Sequence, residues 1–214
     1  MKNTDLVWYF DPISPFVYMQ WLDMGRLPEG VRATLRPVLL AGLLGHWKSK
    51  GPAEIPEKRR FTYRFVQWQA AQRGIPFRLP PAHPFNPLSV LRLCTALGAT
   101  HRVVDEVLRF IWAEGRDPNE ASAWRELCRR LQVEDPDGLV QNEAIKTQLK
   151  NGTEEACRIG VFGVPTFVVN GEIFWGQDSV GMLLDYLADP DLFTTGELAR
   201  ASSLPVGVHR RISR

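Results

Sequence analysis

The chain has 214 residues, of which 44% are hydrophobic and 23% are charged, as in globular domains that bury a core. Its formal net charge of +2 is far from the concentrated basic character of nucleic-acid-binding proteins, so no nucleic-acid partner is expected. The N-terminal residues lack a signal-peptide pattern and the first apolar run is too short to span a bilayer, which predicts a cytoplasmic protein that is not membrane-bound.

The first part of the chain predicts a strand, a helix and a second strand. Residues 6–10 form a continuous apolar run, which is typical of a strand buried on both faces. Ser14 followed by Pro15 favours a helix start, with serine as N-cap and proline at the first helical position. The helical stripe extends to about Met24, and alternating residues in 31–37 predict the next strand.

The middle of the chain, residues 43–151, predicts helices only. Apolar side chains recur there at spacings of three and four, and Phe61 and Trp68 belong to one such stripe. The segment 117–120 has the pattern of a capped helix start with glutamate at the third helical position. Asp135 before a proline predicts one more helix start.

The last part of the chain returns to strand patterns. Two apolar runs, 164–169 and 172–175, flank Asn170-Gly171, and Asn-Gly between such runs is a strong hairpin signal. Asp178-Ser179 then predicts the start of a final helix. The economical interpretation is an α/β domain split by a helical insertion. The predicted units are a split domain (1–42 and 152–192), the insertion (43–151) and a C-terminal tail (193–214).

Ser14 is the first candidate site residue. It lies between a strand end and a helix start, where backbone N–H groups favour an anion. Oxidoreductases of the thioredoxin type have Cys-x-x-Cys here, whereas this chain has Ser-Pro-Phe-Val, which excludes disulfide exchange by the protein itself at this place. A serine hydroxyl can still hydrogen-bond to a thiolate from another molecule and lower the pKa of that thiol.

The second candidate motif is Val164-Pro165. A proline that opens an apparent core strand is unusual, and a cis peptide bond at the edge of a site would explain it. Such an edge leaves a backbone N–H and C=O that can pair with an extended peptide.

Cysteine and histidine positions indicate neither disulfides nor a metal site. Cys94, Cys128 and Cys157 are far apart and form no Cys-x-x-Cys pair, so we expect small buried side chains. The four histidines are scattered without metal-ligand spacing.

Together the two motifs resemble the DsbA-like branch of the thioredoxin superfamily, in which a helical domain is inserted into the thioredoxin fold. Serine in place of the redox cysteine resembles the kappa-class glutathione transferases. Three further segments, 35–40, 52–60 and 83–88, resemble the 2-hydroxychromene-2-carboxylate isomerases. The resemblance covers about residues 5–190 and implies an α/β thioredoxin-like fold with an all-helical insertion.

The resemblance implies glutathione as cofactor, with its sulfur against Ser14 and its cysteine paired to the backbone of Val164 beside Pro165. Other implied glutathione contacts come from Ser49 (where kappa enzymes have asparagine), Lys58, Asp178 and Ser179. Asn86 and Trp47 are the implied contacts of a small aromatic substrate. The resemblance also implies a homodimer.

The implied reaction interconverts 2-hydroxychromene-2-carboxylate and trans-o-hydroxybenzylidenepyruvate in aromatic degradation. The thiolate adds to the conjugated double bond of the ring-opened substrate, the resulting single bond rotates, and elimination returns the thiolate. Two alternatives remain open: a kappa-like transferase or peroxidase with another substrate, and a non-catalytic glutathione-binding protein. A dithiol oxidase is disfavoured because the Cys-x-x-Cys is missing.

Structural roles are the alternative for each candidate residue. Lys58 lies in a charge run of the kind that usually faces solvent. Several residues have the pattern of helix caps: Ser14, Asn86, Asp178 and Ser179. The tryptophans are expected mostly in the core, among them Trp47, Trp68 and Trp112.

Overall fold

The computed structural model describes residues 5–208, and its centre is a four-stranded mixed sheet. The order across the sheet is β2-β1-β3-β4, with β1 parallel to β2 and the other two pairs antiparallel. The strands are β1 (Leu6–Phe10), β2 (Ala33–Pro37), β3 (Thr166–Val169) and β4 (Glu172–Trp175). All four predicted strands are confirmed, and strands from the two ends of the chain form one sheet.

The central strand β1 has a partner on each side, which accounts for its continuous apolar sequence. Four of its five residues are buried, and only Val7 is partly exposed. β3 begins one residue after Pro165, because proline has no N–H to donate to the ladder. Its four residues are also buried, so these two strands form the middle of the core.

Helices cover the sheet, and the chain between β2 and β3 contains helices and loops but no strand. Short 3₁₀ turns occupy 24–26, 52–54 and 177–179, and a π-helical turn (109–113) continues the fifth helix. The first five helices are α1 (Pro15–Trp21), α2 (Leu40–His46), α3 (Pro56–Gln72), α4 (Leu88–Ala96) and α5 (His101–Leu108). The other five are α6 (Ala121–Arg130), α7 (Pro136–Gln141), α8 (Glu143–Ile159), α9 (Val180–Ala188) and α10 (Gly196–Ser202).

The predicted domain boundaries fall inside helices. α2 runs across the boundary after residue 42, and α8 runs across the boundary after residue 151. The division into two units therefore stays a prediction. The predicted tail contains α10, and its last residues, 209–214, lie outside the described residues.

One predicted helix start is wrong and another is confirmed. α6 begins only after Glu120, whose side chain makes no cap hydrogen bond. The residues before it form a turn instead, in which the Asp117 carboxylate accepts the N–H of Asn119 at 2.8 Å. Asp135 does cap α7, because its carboxylate accepts the N–H of Gly138 at 2.9 Å.

The tryptophan expectation holds for Trp112 and fails for two others. Trp112 is fully buried, whereas Trp47 is 45% exposed and Trp68 is 57% exposed. α3 buries the face that carries Val66 and Ala70, so the aromatic stripe lies on its outer side. The stripe packs on itself there, with stacked pairs Phe61–Phe65 and Phe65–Trp68.

Candidate active site

Ser14 holds the N-cap position of α1 with an extended backbone, but its side chain makes no cap hydrogen bond. Among the described residues its hydroxyl makes no other hydrogen bond either. The residue is 8% exposed and lines a cavity. Because the hydroxyl has no partner in the described part of the chain and the residue borders a cavity, it is available to a ligand. The interpretation of Ser14 as a side-chain cap is therefore wrong.

The loop that carries Ser14 is held by side chains from distant parts of the chain. Asp11 accepts the N–H of Ile13 at 3.0 Å and the N–H of Leu40 at 2.9 Å, which ties the loop to the start of α2. The indole N–H of Trp112 donates to the carbonyl of Pro12 at 2.9 Å. These bonds fix the direction in which Ser14 faces.

Asp11 is fully buried beneath this loop. Burial raises the pKa of its carboxyl to about 7, although its two backbone hydrogen bonds lower the pKa in part. The loop therefore rests on a group that changes its charge near neutral pH.

His83 holds the other side of the loop. Its Nε2 lies 2.7 Å from the carbonyl oxygen of Ile13, and its Nδ1 lies 2.6 Å from the Tyr63 hydroxyl. Arg59 donates from Nε to the same hydroxyl at 3.0 Å. Burial is the main effect on the His83 ring and lowers its pKa, so the ring is neutral at pH 7.

The Ser14 cavity has a volume of about 260 Å³ and mainly apolar walls. Its polar walls come from Thr62, Tyr63 and His83, and its carboxyl groups from Asp11 and Glu54. Within residues 5–208, no lysine or arginine lines it. The apolar lining includes Ile13, Pro15, Phe16, Leu40, Ala41, Leu44, Pro52, Ala53, Pro84 and Pro87.

A neighbouring groove of about 250 Å³ contains the second predicted motif, with Val164 and Pro165 in its wall. The Val164–Pro165 peptide bond is cis, as predicted. The N–H and C=O of Val164 make no hydrogen bond in the part of the chain that the structure describes. Phe16 lines both this groove and the Ser14 cavity, so the two motifs lie on either side of one side chain.

The far end of the groove is the turn before α9, where Gly176, Gln177 and Asp178 line it. Asp178 is exposed, and Gln177 has a buried side-chain oxygen without a hydrogen-bond partner among the described residues. Ser179 does not line the groove; its hydroxyl donates to the carbonyl of Gly176 at 2.8 Å. Gln20 of α1 donates to the same carbonyl at 2.7 Å, which joins this turn to the helix after Ser14.

Comparison with known proteins bears on this arrangement. A family model described as the DSBA-like thioredoxin domain matches residues 5–188. The chain belongs to the DsbA-like thioredoxin family. The expected fold is thereby confirmed, including the helices inserted between β2 and β3.

Relatives of this DsbA-like chain carry the two names expected from its motifs. It is 29% identical over 213 residues to glutathione S-transferase kappa 2 of Caenorhabditis elegans, covering 89% of this chain and 95% of the relative. It is 28% identical over 196 residues to 2-hydroxychromene-2-carboxylate isomerase of Sphingobium xenophagum, covering 85% and 96%. A solved structure of 2-hydroxychromene-2-carboxylate isomerase matches its fold with a TM-score of 0.74 at 21% identity, covering 92% and 97%.

The remaining predicted contacts of this DsbA-like chain lie outside both cavities. Ser49 and Lys58 are exposed, and neither lines the Ser14 cavity or the groove. Trp47 donates its indole N–H to the carbonyl of Val161 at 2.9 Å and so supports the segment before Val164.

Asn86 has a structural role in the turn before α4. Its side-chain oxygen accepts the N–H of Leu88 at 3.1 Å, and its backbone is bonded to the side chain of Asn119. Asn86 is exposed and does not line the Ser14 cavity. The N-cap of α4 is Pro87, so Asn86 closes the turn before the helix and is not its cap residue.

The three cysteines are free and buried, as predicted. Burial raises the pKa of the Cys94 thiol to about 12 and that of Cys128 to about 11. Neither thiol is a ready nucleophile at neutral pH.

No helix within residues 5–208 is both long and apolar enough to cross a membrane.

Four residues of the candidate site were not predicted from the sequence: Asp11, Tyr63, His83 and Trp112. Asp11 and His83 do lie in the segments that carry the family resemblance, which was the available signal. Their partners are far away in the chain: His83 contacts a residue 70 positions earlier, and Trp112 one 100 positions earlier. No local pattern reports such contacts.

Proposed function

We propose that this chain is a glutathione-dependent enzyme in which Ser14 stabilises the glutathione thiolate. The observation that carries the proposal is the hydroxyl of the nearly buried Ser14, which has no hydrogen-bond partner among the described residues and borders an apolar cavity. The names of the relatives, kappa glutathione transferase and 2-hydroxychromene-2-carboxylate isomerase, support it.

The groove beside Ser14 suits an extended peptide such as glutathione. Within residues 5–208, Val164 has an unpaired N–H and C=O and Gln177 has a side-chain oxygen without a partner. Asp178 offers a carboxylate for an amino group. In this proposal, Ser179 stabilises the turn that carries Asp178. Lys58 and Ser49 stay proposed outer contacts.

When bound, glutathione supplies a nucleophilic thiolate, and the chain provides the surroundings that favour it. The Ser14 hydroxyl donates a hydrogen bond to the charged sulfur, which favours the thiolate over the thiol. The apolar walls of the cavity exclude water, and electrostatic interactions are stronger in such surroundings. The loop bonds from Asp11 and Trp112 hold the donor in place before the ligand arrives.

The first specific reaction is the isomerisation of 2-hydroxychromene-2-carboxylate, and the Sphingobium relative of that name supports it. The cavity between Ser14, α2 and α3 is the proposed place of the aromatic substrate. The same proposal includes that the protein is a cytoplasmic homodimer, as the family resemblance implies.

A second reaction, transfer of glutathione to an uncharged electrophile, is favoured by the lining of the cavity. A carboxylate substrate would meet no lysine or arginine among the described lining residues, but would approach the exposed carboxylate of Glu54. Burying an unpaired carboxylate is costly. An uncharged aromatic electrophile has no such cost.

The test is Ser14→Ala assayed with 2-hydroxychromene-2-carboxylate and with 1-chloro-2,4-dinitrobenzene, each with and without glutathione. Loss of a donor to the reacting charge predicts a fall in kcat/KM of about 10²-fold. The ultraviolet absorbance of the bound thiolate should titrate at higher pH in the variant, while glutathione still binds.

Ser202→Ala, an exposed serine on α10, is the matched control and should change nothing. Unchanged turnover in Ser14→Ala would contradict the enzymatic proposal. Turnover of the chromene substrate alone identifies the isomerase, and conjugation of the chloronitrobenzene alone identifies the transferase.

A further inference from the structure

A chain of hydrogen bonds runs from Arg59 to the residue next to Ser14. Arg59 donates to the Tyr63 hydroxyl at 3.0 Å, Tyr63 lies 2.6 Å from His83 Nδ1, and His83 Nε2 lies 2.7 Å from the carbonyl of Ile13. Tyr63, His83 and Ser14 all line the same cavity. The chain of bonds therefore connects Tyr63 to the backbone next to Ser14, and both residues line one substrate-sized space.

The partners determine where the protons lie. The carbonyl of Ile13 only accepts, so His83 Nε2 carries the proton of the neutral ring, and Nδ1 is an acceptor. The Tyr63 hydroxyl then donates to Nδ1 at 2.6 Å, with the His83 carbonyl oxygen as a second acceptor at 3.0 Å, while its own oxygen accepts from Arg59. A hydroxyl whose oxygen accepts from a guanidinium is polarised into a stronger donor.

We propose that Tyr63 donates a hydrogen bond to the oxygen of a conjugated carbonyl substrate in the Ser14 cavity, and that His83 is its positioning residue. This inference rests on the proposed function. It adds to Ser14 a second catalytic residue and names a substrate class, conjugated carbonyl compounds, for the cavity.

The chemistry of this class requires a donor at that place. Nucleophilic addition forms a bond at the β-carbon and moves the π electron pair onto the carbonyl oxygen, and elimination reverses both changes. The oxygen thus becomes negative while the sulfur loses its charge. Ser14 stabilises the negative charge on the sulfur, and a donor across the cavity is needed for the negative charge on the oxygen.

The resting bond to His83 makes the donation selective for the charged state. The bond between Tyr63 and a neutral imidazole is weaker than a bond to a developing oxyanion. Rotation of the Tyr63 O–H towards the substrate is therefore favoured as charge accumulates. Interactions that strengthen only in the transition state accelerate the reaction.

The decisive variant is Tyr63→Phe, which removes one oxygen and keeps the ring beside His83. Two electrophiles should respond differently in glutathione conjugation: benzylideneacetone, which forms an oxyanion, and benzyl chloride, which forms none. We expect kcat for benzylideneacetone to fall about 10²-fold, with benzyl chloride turnover within about twofold of the original enzyme.

A second measurement needs no glutathione. The visible absorption band of 4-(dimethylamino)benzylideneacetone moves to longer wavelength when its carbonyl oxygen accepts a hydrogen bond. Bound to the original protein, the dye should show this shift, and Tyr63→Phe should abolish it. Tyr186→Phe, whose hydroxyl lies near Asn170 and not in the cavity, is the matched control.

Two results would overturn the inference. One is a Tyr63→Phe variant that keeps both the benzylideneacetone rate and the spectral shift. The other is an equal loss of rate on both electrophiles with the shift retained, which means a structural role. If no conjugation occurs in any variant, the proposed function fails, while the dye shift still decides whether Tyr63 is a donor in the cavity.

Discussion

Asp11 combines full burial with two backbone hydrogen bonds at the base of the Ser14 loop. Ser14 and Val164-Pro165 could be proposed from the sequence because each is marked by a local pattern around a proline. It did not find Asp11, because burial of a carboxyl under a loop depends on α2 and α4, which pack there only in the folded chain. A local sequence pattern can mark a candidate site residue, but it does not reveal the hydrogen-bond partners of that residue in the fold.

Asp11→Asn should flatten the pH dependence of stability between about pH 4 and pH 7. The folded-state pKa of about 7 exceeds the ordinary aspartate value of 3.8, so the folded protein holds a proton that the unfolded chain releases. The stabilising effect of that proton is complete below the unfolded pKa and is lost as pH rises through about 7.

Urea unfolding at pH 5 and at pH 8 measures this effect. The original protein should lose on the order of 1–4 kcal/mol more than the variant between these two values. Glu172→Gln, at an exposed carboxyl, is the control. Equal pH slopes for Asp11→Asn and the original protein would contradict the prediction.

At the scale of elements, the apolar and turn patterns predicted which segments are strands, and long-range packing decided helix boundaries and faces. α6 starts late because the Asp117 side chain closes a turn, although the same letters also fit a capped start. α3 faces outward with Phe61 and Trp68 because Val66 and Ala70 lie on its packed side. Periodicity alone does not say which of two apolar faces is buried.

Gln20→Leu should destabilise the junction of β1, α1 and the turn at Gly176. The buried Gln20 amide accepts from the Trp8 indole at 2.6 Å and donates to the carbonyl of Gly176 at 2.7 Å. The substitution leaves the indole N–H unsatisfied, which costs about 1–3 kcal/mol.

Urea unfolding of Gln20→Leu should show this loss, with a similar m-value. Gln67→Leu, at an exposed position of α3, is the comparison and should stay within about 0.5 kcal/mol. Glutathione affinity should also fall for Gln20→Leu alone, because the turn that carries Asp178 loses a tie. A variant as stable as the original would show that the amide bonds contribute little.

At the scale of the whole molecule, the resemblance predicted the fold, and the comparison with known families confirms it. A sheet built from both ends of the chain was predictable because strand patterns there flank a strand-free middle. The division into two units stays a prediction, and α2 and α8 run across its proposed boundaries.

Glutathione should stabilise the whole chain against heat. A ligand at 100 times its Kd adds about 2.7 kcal/mol, which raises the Tm of a chain of this size by about 5–10 °C. Ser14→Ala should keep most of this rise, because the groove supplies most contacts, and Asp178→Ala should reduce it. A Tm that does not change with glutathione concentration would contradict the proposed cofactor.

Phe16 stands between the groove and the Ser14 cavity, and the two compartments have different origins in the chain. The groove is made largely by the hairpin end of the chain, and the cavity largely by the segments around α2 and α3. Under the proposed function, substitutions around α2 would change which substrate is accepted and leave the hairpin part of the groove as it is. Substrate choice and glutathione binding could then evolve separately, and the helices that line only the cavity are the place to redesign the former.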